Sequence, residues 1–288
     1  MPPAERDLAG RLVVITGASA GIGQATAIEL ARRGATTVLA CRSEERTAPV
    51  LNAIEAAGGK ASFVRLDLAD FASVREAARR ILALTGTIDV LINNAGLAPP
   101  RGGVTKDGFE LGFGTNHLGH FLLTVLLMPR LLATARSRIV NVSSQAHYAA
   151  PGIDFDAIRR PTRTLTGLRE YEVSKLANVL FTRELSRRVG SLGVHSYALH
   201  PGVVASDGWR RVPWPIRPLM KLRMISNEEG AKTSIYCATS REVAHENGRY
   251  YDACKEKAPS PVADQVGLAR ELWDKSVLFT GADLDHRA

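Results

Sequence analysis

Leu12-Val13-Val14-Ile15-Thr16-Gly17-Ala18-Ser19-Ala20-Gly21-Ile22-Gly23 runs from an aliphatic, β-branched tetrapeptide, through a turn with three glycines, into a helical pattern that continues to Arg33. Adjacent Val and Ile side chains fill both faces of a strand, so the first run predicts a strand buried on two sides. Glycines let a backbone turn tightly and approach a pyrophosphate, while a helix N-terminus supplies free N–H groups and the positive end of a dipole. The spacing G-x-x-x-G-x-G differs from G-x-G-x-x-G, and no Gly-Lys-Ser/Thr follows as a Walker A would need. Placed between a first strand and a first helix, the turn predicts dinucleotide binding through Gly17, Ser19, Gly21, Ile22 and Gly23.

The pattern repeats outward from this turn. Thr37 to Ala40, Ala61 to Leu66, Ile88 to Ile92, Arg138 to Val142 and Val194 to Leu199 read as further strands, with helices around Ala48 to Ala57 and over Ser73 to Leu84. Continuous apolar strands alternating with helices predict an α/β fold, a doubly wound (Rossmann) parallel sheet with helices on both faces. Pro213-Trp214-Pro215-Ile216-Arg217-Pro218 resembles a linker, but Ser226 and Glu229 then form a capping box that starts another helix. The 288 residues are therefore read as a single domain, with a core over about residues 10–255.

Composition narrows the function classes. The chain has 37 Lys and Arg against 29 Asp and Glu, for a net charge of +8, with 45% hydrophobic and 23% charged residues. That is the mix of a soluble globular protein, and it excludes disordered, collagen-like and coiled-coil architectures. The basic residues are scattered, without a nucleic-acid-binding pattern, so no nucleic-acid partner is expected; attraction of an anionic cofactor is a simpler use of the charge. Met1 to Gly10 does not read as a signal peptide, and the longest apolar run, His120 to Met128, is closed by Pro129. No transmembrane segment is expected. Cys41, Cys237 and Cys254 lack metal or disulfide spacing, which fits a reducing cytoplasm, and no metal site is expected.

A free ribose 2′-OH usually meets an acid at the end of the second strand, but this chain has Ala40-Cys41-Arg42-Ser43 there. The Arg42 guanidinium suits a 2′-phosphate, so the cofactor reads as NADP (NADPH) rather than NAD. Further on, Tyr171 and Lys175 stand at i and i+4 on one helix face. A nearby ammonium favours a phenolate, which makes Tyr171 a candidate proton donor and acceptor. Leu91-Ile92-Asn93-Asn94-Ala95-Gly96 and Ile139-Val140-Asn141-Val142-Ser143-Ser144 put small polar residues at strand ends, where open α/β sheets hold ligands. His117, His120, His147 and His200 are assigned structural roles, and Phe121 to Met128 a place in the core.

Taken together, Thr16 to Gly23, Asn93 to Gly96, Ser144, Tyr171-x-x-x-Lys175 and Pro201-Gly202 resemble the short-chain dehydrogenase/reductase family, in order and over most of the chain. The resemblance implies that Tyr171 is the general acid/base, Lys175 its activating partner, Ser144 the substrate-orienting serine and Asn116 the support of a proton-relay water. It implies that Asp67 and Leu68 contact adenine, that Asn94, Ala95 and Gly96 lie along the adenosine, and that Pro201, Gly202, Val204 and Ser206 lie near the nicotinamide. Ala40-Cys41-Arg42, Thr115 to Phe121, Ser174 to Asn178 and Glu228 to Ala231 are similar to the retinol dehydrogenase and WW-domain oxidoreductase branch. Ser144 and Tyr171 are 27 positions apart, an insertion this branch also carries. Eukaryotic members commonly have an N-terminal membrane anchor that is not evident here, so a cytoplasmic location is expected.

By resemblance, residues 206–225 form a lid over the substrate. Trp209, Trp214, Ile216, Leu219 and Met220 suit an apolar substrate, and interspersed Lys and Arg offer a peripheral contact with an anionic membrane. The resemblance also adds a homodimer through the helix carrying Phe121 to Met128. The reading is an NADP-dependent oxidoreductase that interconverts an apolar alcohol and its aldehyde or ketone. Two alternatives stay open: a C=C reductase resembling protochlorophyllide reductase, and a non-catalytic NADP-binding sensor.

Overall fold

The computed structural model describes residues 6–202 and 225–284. Val204, Ser206 and nearly all of the expected lid fall outside the described residues. Eight strands form one sheet: β1 (Leu12–Thr16), β2 (Thr36–Cys41), β3 (Lys60–Arg65), β4 (Val90–Asn93), β5 (Ser137–Val142), β6 (Val194–His200), β7 (Arg249–Asp252) and β8 (Lys255–Glu256). Their spatial order is β3-β2-β1-β4-β5-β6-β7-β8, parallel throughout except that β8 runs antiparallel to β7. The chain winds outward from β1 to β3, then returns to lay β4 on the other side of β1. That reversal opens a crevice at the carboxyl ends of β1 and β4, where Ile15 is in register with Ile92.

Side-chain alternation along β1 sends Val13 and Ile15 to one layer and Val14 to the other. One layer holds α1 (Gly21–Arg32), α2 (Glu44–Ala56) and α6 (Asn227–Thr239); the opposite layer holds α3 (Phe71–Leu84), α4 (Leu111–Leu132), α5 (Leu168–Val189) and α7 (Val266–Thr280). The doubly wound α/β sheet expected from the strand–helix alternation is the one observed. Helix α2 starts four residues before its expected position because Ser43 accepts the amide of Arg46 and fixes the first turn at Glu44. Ser226 likewise accepts the amide of Glu229 at the start of α6.

Helix α4 corrects the sequence reading. It does not end at Pro129 but runs for 22 residues to Leu132, long and apolar enough by composition to cross a bilayer. However, 89% of its most apolar stretch is buried inside the protein, as a core helix would be. Phe121, Leu122, Leu123 and Leu127 are fully buried. Trp273 of α7 meets Phe121 edge-on at 5.0 Å and stacks on Phe181 of α5 at 6.0 Å, with the Arg188 guanidinium 4.4 Å from the indole centroid. From Phe121 to Met128 every residue but Leu126 is buried within the chain.

Removing the indole leaves a cavity between three helices. Trp273→Ala should lower unfolding stability by about 3–5 kcal/mol, read as a lower urea midpoint with an unchanged slope.

Candidate active site

The glycine turn is shaped by close packing. Gly17 and Gly21 have φ of +69° and +61°, values that side-chain-bearing residues rarely adopt. A Cβ on Gly17 would lie 2.9 Å from Ala95, and one on Gly23 would lie 2.5 Å from the Gly17 carbonyl and run into the Asn94 amide. The turn is held against β4 by Thr16, whose hydroxyl accepts the amides of Asn94 and Ala95, each at 3.0 Å. Asn94 returns its side-chain amide to the Thr16 carbonyl at 2.8 Å.

A cavity of about 600 Å³ opens above this junction. Its walls bring together Gly17, Ser19, Gly21, Ile22, Gly23, Arg42, Asp67, Leu68, Asn94, Ala95 and Gly96. Helix α1 begins there behind Ala20, with no side-chain cap and no acidic residue in its first turn, whereas Ser43 and Asp70 cap α2 and α3. Uncapped amides at the dipole's positive end, on a surface stripped of side chains by glycine, are what a pyrophosphate requires. Arg42 is exposed at the end of β2, where the wall carries Arg42, Ser43 and Arg46 from that strand end and the helix after it, and no acid from that segment. Asp67 is turned into its own loop, where its Oδ1 accepts the Ala69 amide at 3.0 Å. The residues present therefore fit an anionic dinucleotide. Pro201 and Gly202 follow β6 and are not part of this wall.

Some wall residues went unread in the sequence. Ser43 and Arg46 join Arg42 from the first turn of α2, and their spacing would have shown them had α2 been started at Glu44. Asn227 arrives from the far side of residues 203–224, its Oδ1 3.9 Å from where a Gly21 Cβ would sit, and no local pattern announces it.

The expected catalytic residues lie at the ends of β4 and β5 and on α5. Ser143 and Ser144 are separated by their surroundings. Ser143 is buried and donates to the Lys175 carbonyl at 2.7 Å, whereas Ser144 is half-exposed and its Oγ accepts the Ala146 amide at 3.2 Å. That leaves the Ser144 hydroxyl proton free of the backbone and available to the Tyr171 oxygen, an interaction that favours the phenolate. The Lys175 amine donates to the Val142 carbonyl at 2.9 Å, lies 5.5 Å from the Tyr171 ring centroid, and reaches to 3.2 Å from where a Gly96 Cβ would stand. The proton-handling side chains thus adjoin the dinucleotide cavity at Gly96.

Asn116 lies in a π-helical turn, Gly114–Leu118, inside α4. Its side-chain amide donates to the Leu97 carbonyl and to Ser174 Oγ, each at 2.9 Å, while its Oδ1 accepts the Leu97 amide. That side chain braces the loop after Gly96 against the helix of Tyr171, and the Asn116 backbone carbonyl is engaged separately. His120 Nδ1 donates to that carbonyl at 3.0 Å, which leaves Nε2 to accept the Thr16 hydroxyl at 2.8 Å. Burial holds His120 neutral, with its pKa pushed down to about 4.

The electrostatics depart from the expected lowering of Tyr171 by Lys175. Burial pushes the Tyr171 phenol above its ordinary value, and the Ser144 hydrogen bond only partly pulls it back. Burial also brings Lys175 down to about 8. Lys175 is buried and Tyr171 half-buried, and the ammonium is engaged by the Val142 carbonyl, so desolvation outweighs mutual attraction.

A family model for short chain dehydrogenases matches residues 11–154. The chain is 43% identical to human (Homo sapiens) Retinol dehydrogenase 13, covering 98% of this chain and 88% of that one. Among solved structures it is similar to an uncharacterised protein from Mycobacterium paratuberculosis, with a TM-score of 0.80 and 34% identity over 98% of both chains. It is also similar to a protein assigned as an NAD(P)-dependent gluconate 5-dehydrogenase from Beutenbergia cavernae, crystallised with bound NADP at low occupancy. There the TM-score is 0.72 and the identity 26%, over 86% of this chain and 97% of that one.

The Lys175 titration supplies a test. A nearby polyanion favours the ammonium, so dinucleotide binding just above pH 8 should take up a proton. Calorimetry in buffers of different ionisation enthalpy should detect the uptake in the parent protein and its loss in Lys175→Met.

Proposed function

This chain belongs to the short-chain dehydrogenase/reductase family, in its retinol dehydrogenase-like branch, and on that premise we propose that it uses NADP(H) to interconvert an apolar alcohol and its aldehyde or ketone. The observation that carries the proposal is the meeting of Ser144, Tyr171 and Lys175 beside Gly96, a wall residue of the dinucleotide cavity. Bound NADPH would supply the hydride.

The chain's own residues handle the oxygen and its proton. Ser144 Oγ already accepts the Ala146 amide, so its O–H is the group left to donate; with substrate bound it would turn from Tyr171 to the substrate oxygen and hold that oxygen beside Tyr171. Burial keeps Tyr171 in the phenol form at neutral pH, which suits donation of a proton to the oxygen as the carbonyl is reduced. Lys175, anchored on the Val142 carbonyl, brings positive charge to the phenolate left behind and stabilises it. In the oxidative direction Tyr171 must first lose its proton, so alcohol oxidation is favoured at alkaline pH.

Two features support the finer assignments. The cavity carries Arg42 and Arg46 where a 2′-phosphate would lie, and arginine forks match phosphate oxygens. Exposed apolar side chains stand near the catalytic residues in sequence: Leu165 is 78% exposed and Leu168 53% exposed just before Tyr171, and Tyr148 is 41% exposed just after Ser144. An apolar substrate would cover such groups. The proposed setting is the cytoplasm.

Loss of NADPH absorbance with a panel of apolar aldehydes and ketones tests the proposal. Turnover should prefer NADPH over NADH, and Arg42→Asp should erode that preference about tenfold or more. Tyr171→Phe should cut turnover by about 10²–10⁴ while NADPH still binds. A parent protein that prefers NADH would sink the cofactor assignment. Tight NADPH binding with no carbonyl turned over would sink the activity and favour a sensor.

A further inference from the structure

We propose that His147 is a positioning residue for Ser144, fixing the serine's peptide so that its hydroxyl faces Tyr171. The proposal rests on the reading above in which Ser144 orients the substrate oxygen. His147 is fully buried in the short 3-10 turn Gln145–Ala149, which Ser144 caps. Its Nδ1 lies 2.7 Å from the Ser144 carbonyl oxygen, and its Nε2 lies 3.0 Å from the Ser260 amide nitrogen. An amide N–H can only donate, so Nε2 is the unprotonated nitrogen and Nδ1 carries the proton that Ser144 receives. The Ser144 carbonyl also accepts the His147 amide at 3.1 Å, so two donors from one residue clamp it.

The ring has no freedom to turn away. It packs 4.1 Å from the Tyr148 ring and 4.7 Å from the Tyr250 ring of β7. Tyr148 is itself tied by its hydroxyl to the Ala258 carbonyl, two residues before Ser260. Ser260 is buried and caps the turn Pro261–Asp264. A flip of the imidazole would set C–H groups against both the Ser144 carbonyl and the Ser260 amide. The serine at the end of β5 is therefore referenced, through one neutral ring, to a segment more than a hundred residues further along the chain. Burial holds that ring neutral, with its pKa below the ordinary imidazole value.

Two conservative variants separate positioning of Ser144 from simple anchoring of the C-terminal segment. In His147→Asn the amide nitrogen stands where Nδ1 was and reaches Ser144 but not Ser260. In His147→Gln the amide oxygen stands where Nε2 was and reaches Ser260 but not Ser144. Three readouts apply to the full chain: kcat and KM with decanal and NADPH, the urea midpoint, and the titration of Tyr171. The last is followed without cofactor by NMR of 13Cζ-labelled tyrosine, with the resonance assigned by its loss in Tyr171→Phe. Losing the Ser144 hydrogen bond should raise the Tyr171 pKa, because that bond favours the phenolate.

Positioning predicts that His147→Gln lowers kcat about tenfold, leaves the KM for NADPH unchanged and shifts Tyr171 upward, with a near-parental urea midpoint. It predicts that His147→Asn keeps kcat and the Tyr171 titration while its urea midpoint falls. The proposal is overturned if His147→Gln retains both the parental kcat and the parental Tyr171 titration, or if the two variants lose activity in the order of their urea midpoints. Should the parent protein turn over no carbonyl, the functional reading fails on that result alone. The Tyr171 shift in His147→Gln and its absence in His147→Asn then still decide the role of His147.

Discussion

The Thr16 hydroxyl is buried at the point where the sheet reverses, and four groups converge on it. It accepts the amides of Asn94 and Ala95, gives its proton to His120 Nε2, and lies 3.4 Å from the Ile92 carbonyl. Without these bonds the two amides and the imidazole would be left unsatisfied in the core, at a cost of about 1–3 kcal/mol each. Through them β1, β4 and α4 share one reference point. The glycine turn stands directly on it, Asn94 and Ala95 leave from it, and His120 carries it on to the Asn116 carbonyl. The dinucleotide cavity and the loop after Gly96 thus cannot shift independently.

The same economy of polar atoms governs the far side of the site. Val142 ends β5 with a carbonyl that receives both the Lys175 amine and the Asn178 side chain. Ser143 faces inward to the Lys175 carbonyl and Ser144 faces outward. Two adjacent serines therefore play opposite parts because successive residues at a strand end point to opposite sides. Burial of these groups has a consequence for chemistry. With Lys175 buried and Tyr171 half-buried, each is held toward its neutral form, a state poised to change when a charged ligand enters.

Much of this was legible in one dimension. The strand–glycine–helix pattern at Leu12 to Gly23 needs only local rules, because turn geometry and two-sided burial are properties of neighbouring residues. The wall residues Arg42, Asp67 and Asn94 to Gly96 were also within reach, since each follows a strand and strand ends in this architecture share one rim. Helix α4 was harder. Pro129 reads as a stop, yet the helix continues past it to Leu132, and its 22 residues become a core element only because α3, α5 and α7 enclose them. Asn227 and Ser260 could not be read at all, for each acts across a gap in sequence that only folding closes.

By itself the sequence determined the class of fold, the dinucleotide turn and the chemical identity of the groups at the strand ends, because periodicity, glycine and side-chain type are written residue by residue. The tertiary structure alone decided how those groups behave. Burial set the direction in which Tyr171 and Lys175 titrate, against what their i, i+4 spacing implies. Packing chose the tautomers of His120 and His147 by placing a carbonyl against one ring nitrogen and a hydroxyl or amide against the other. Desolvation and hydrogen-bond partnership depend on which distant segments come to lie around a group, and that is settled only when the chain is folded.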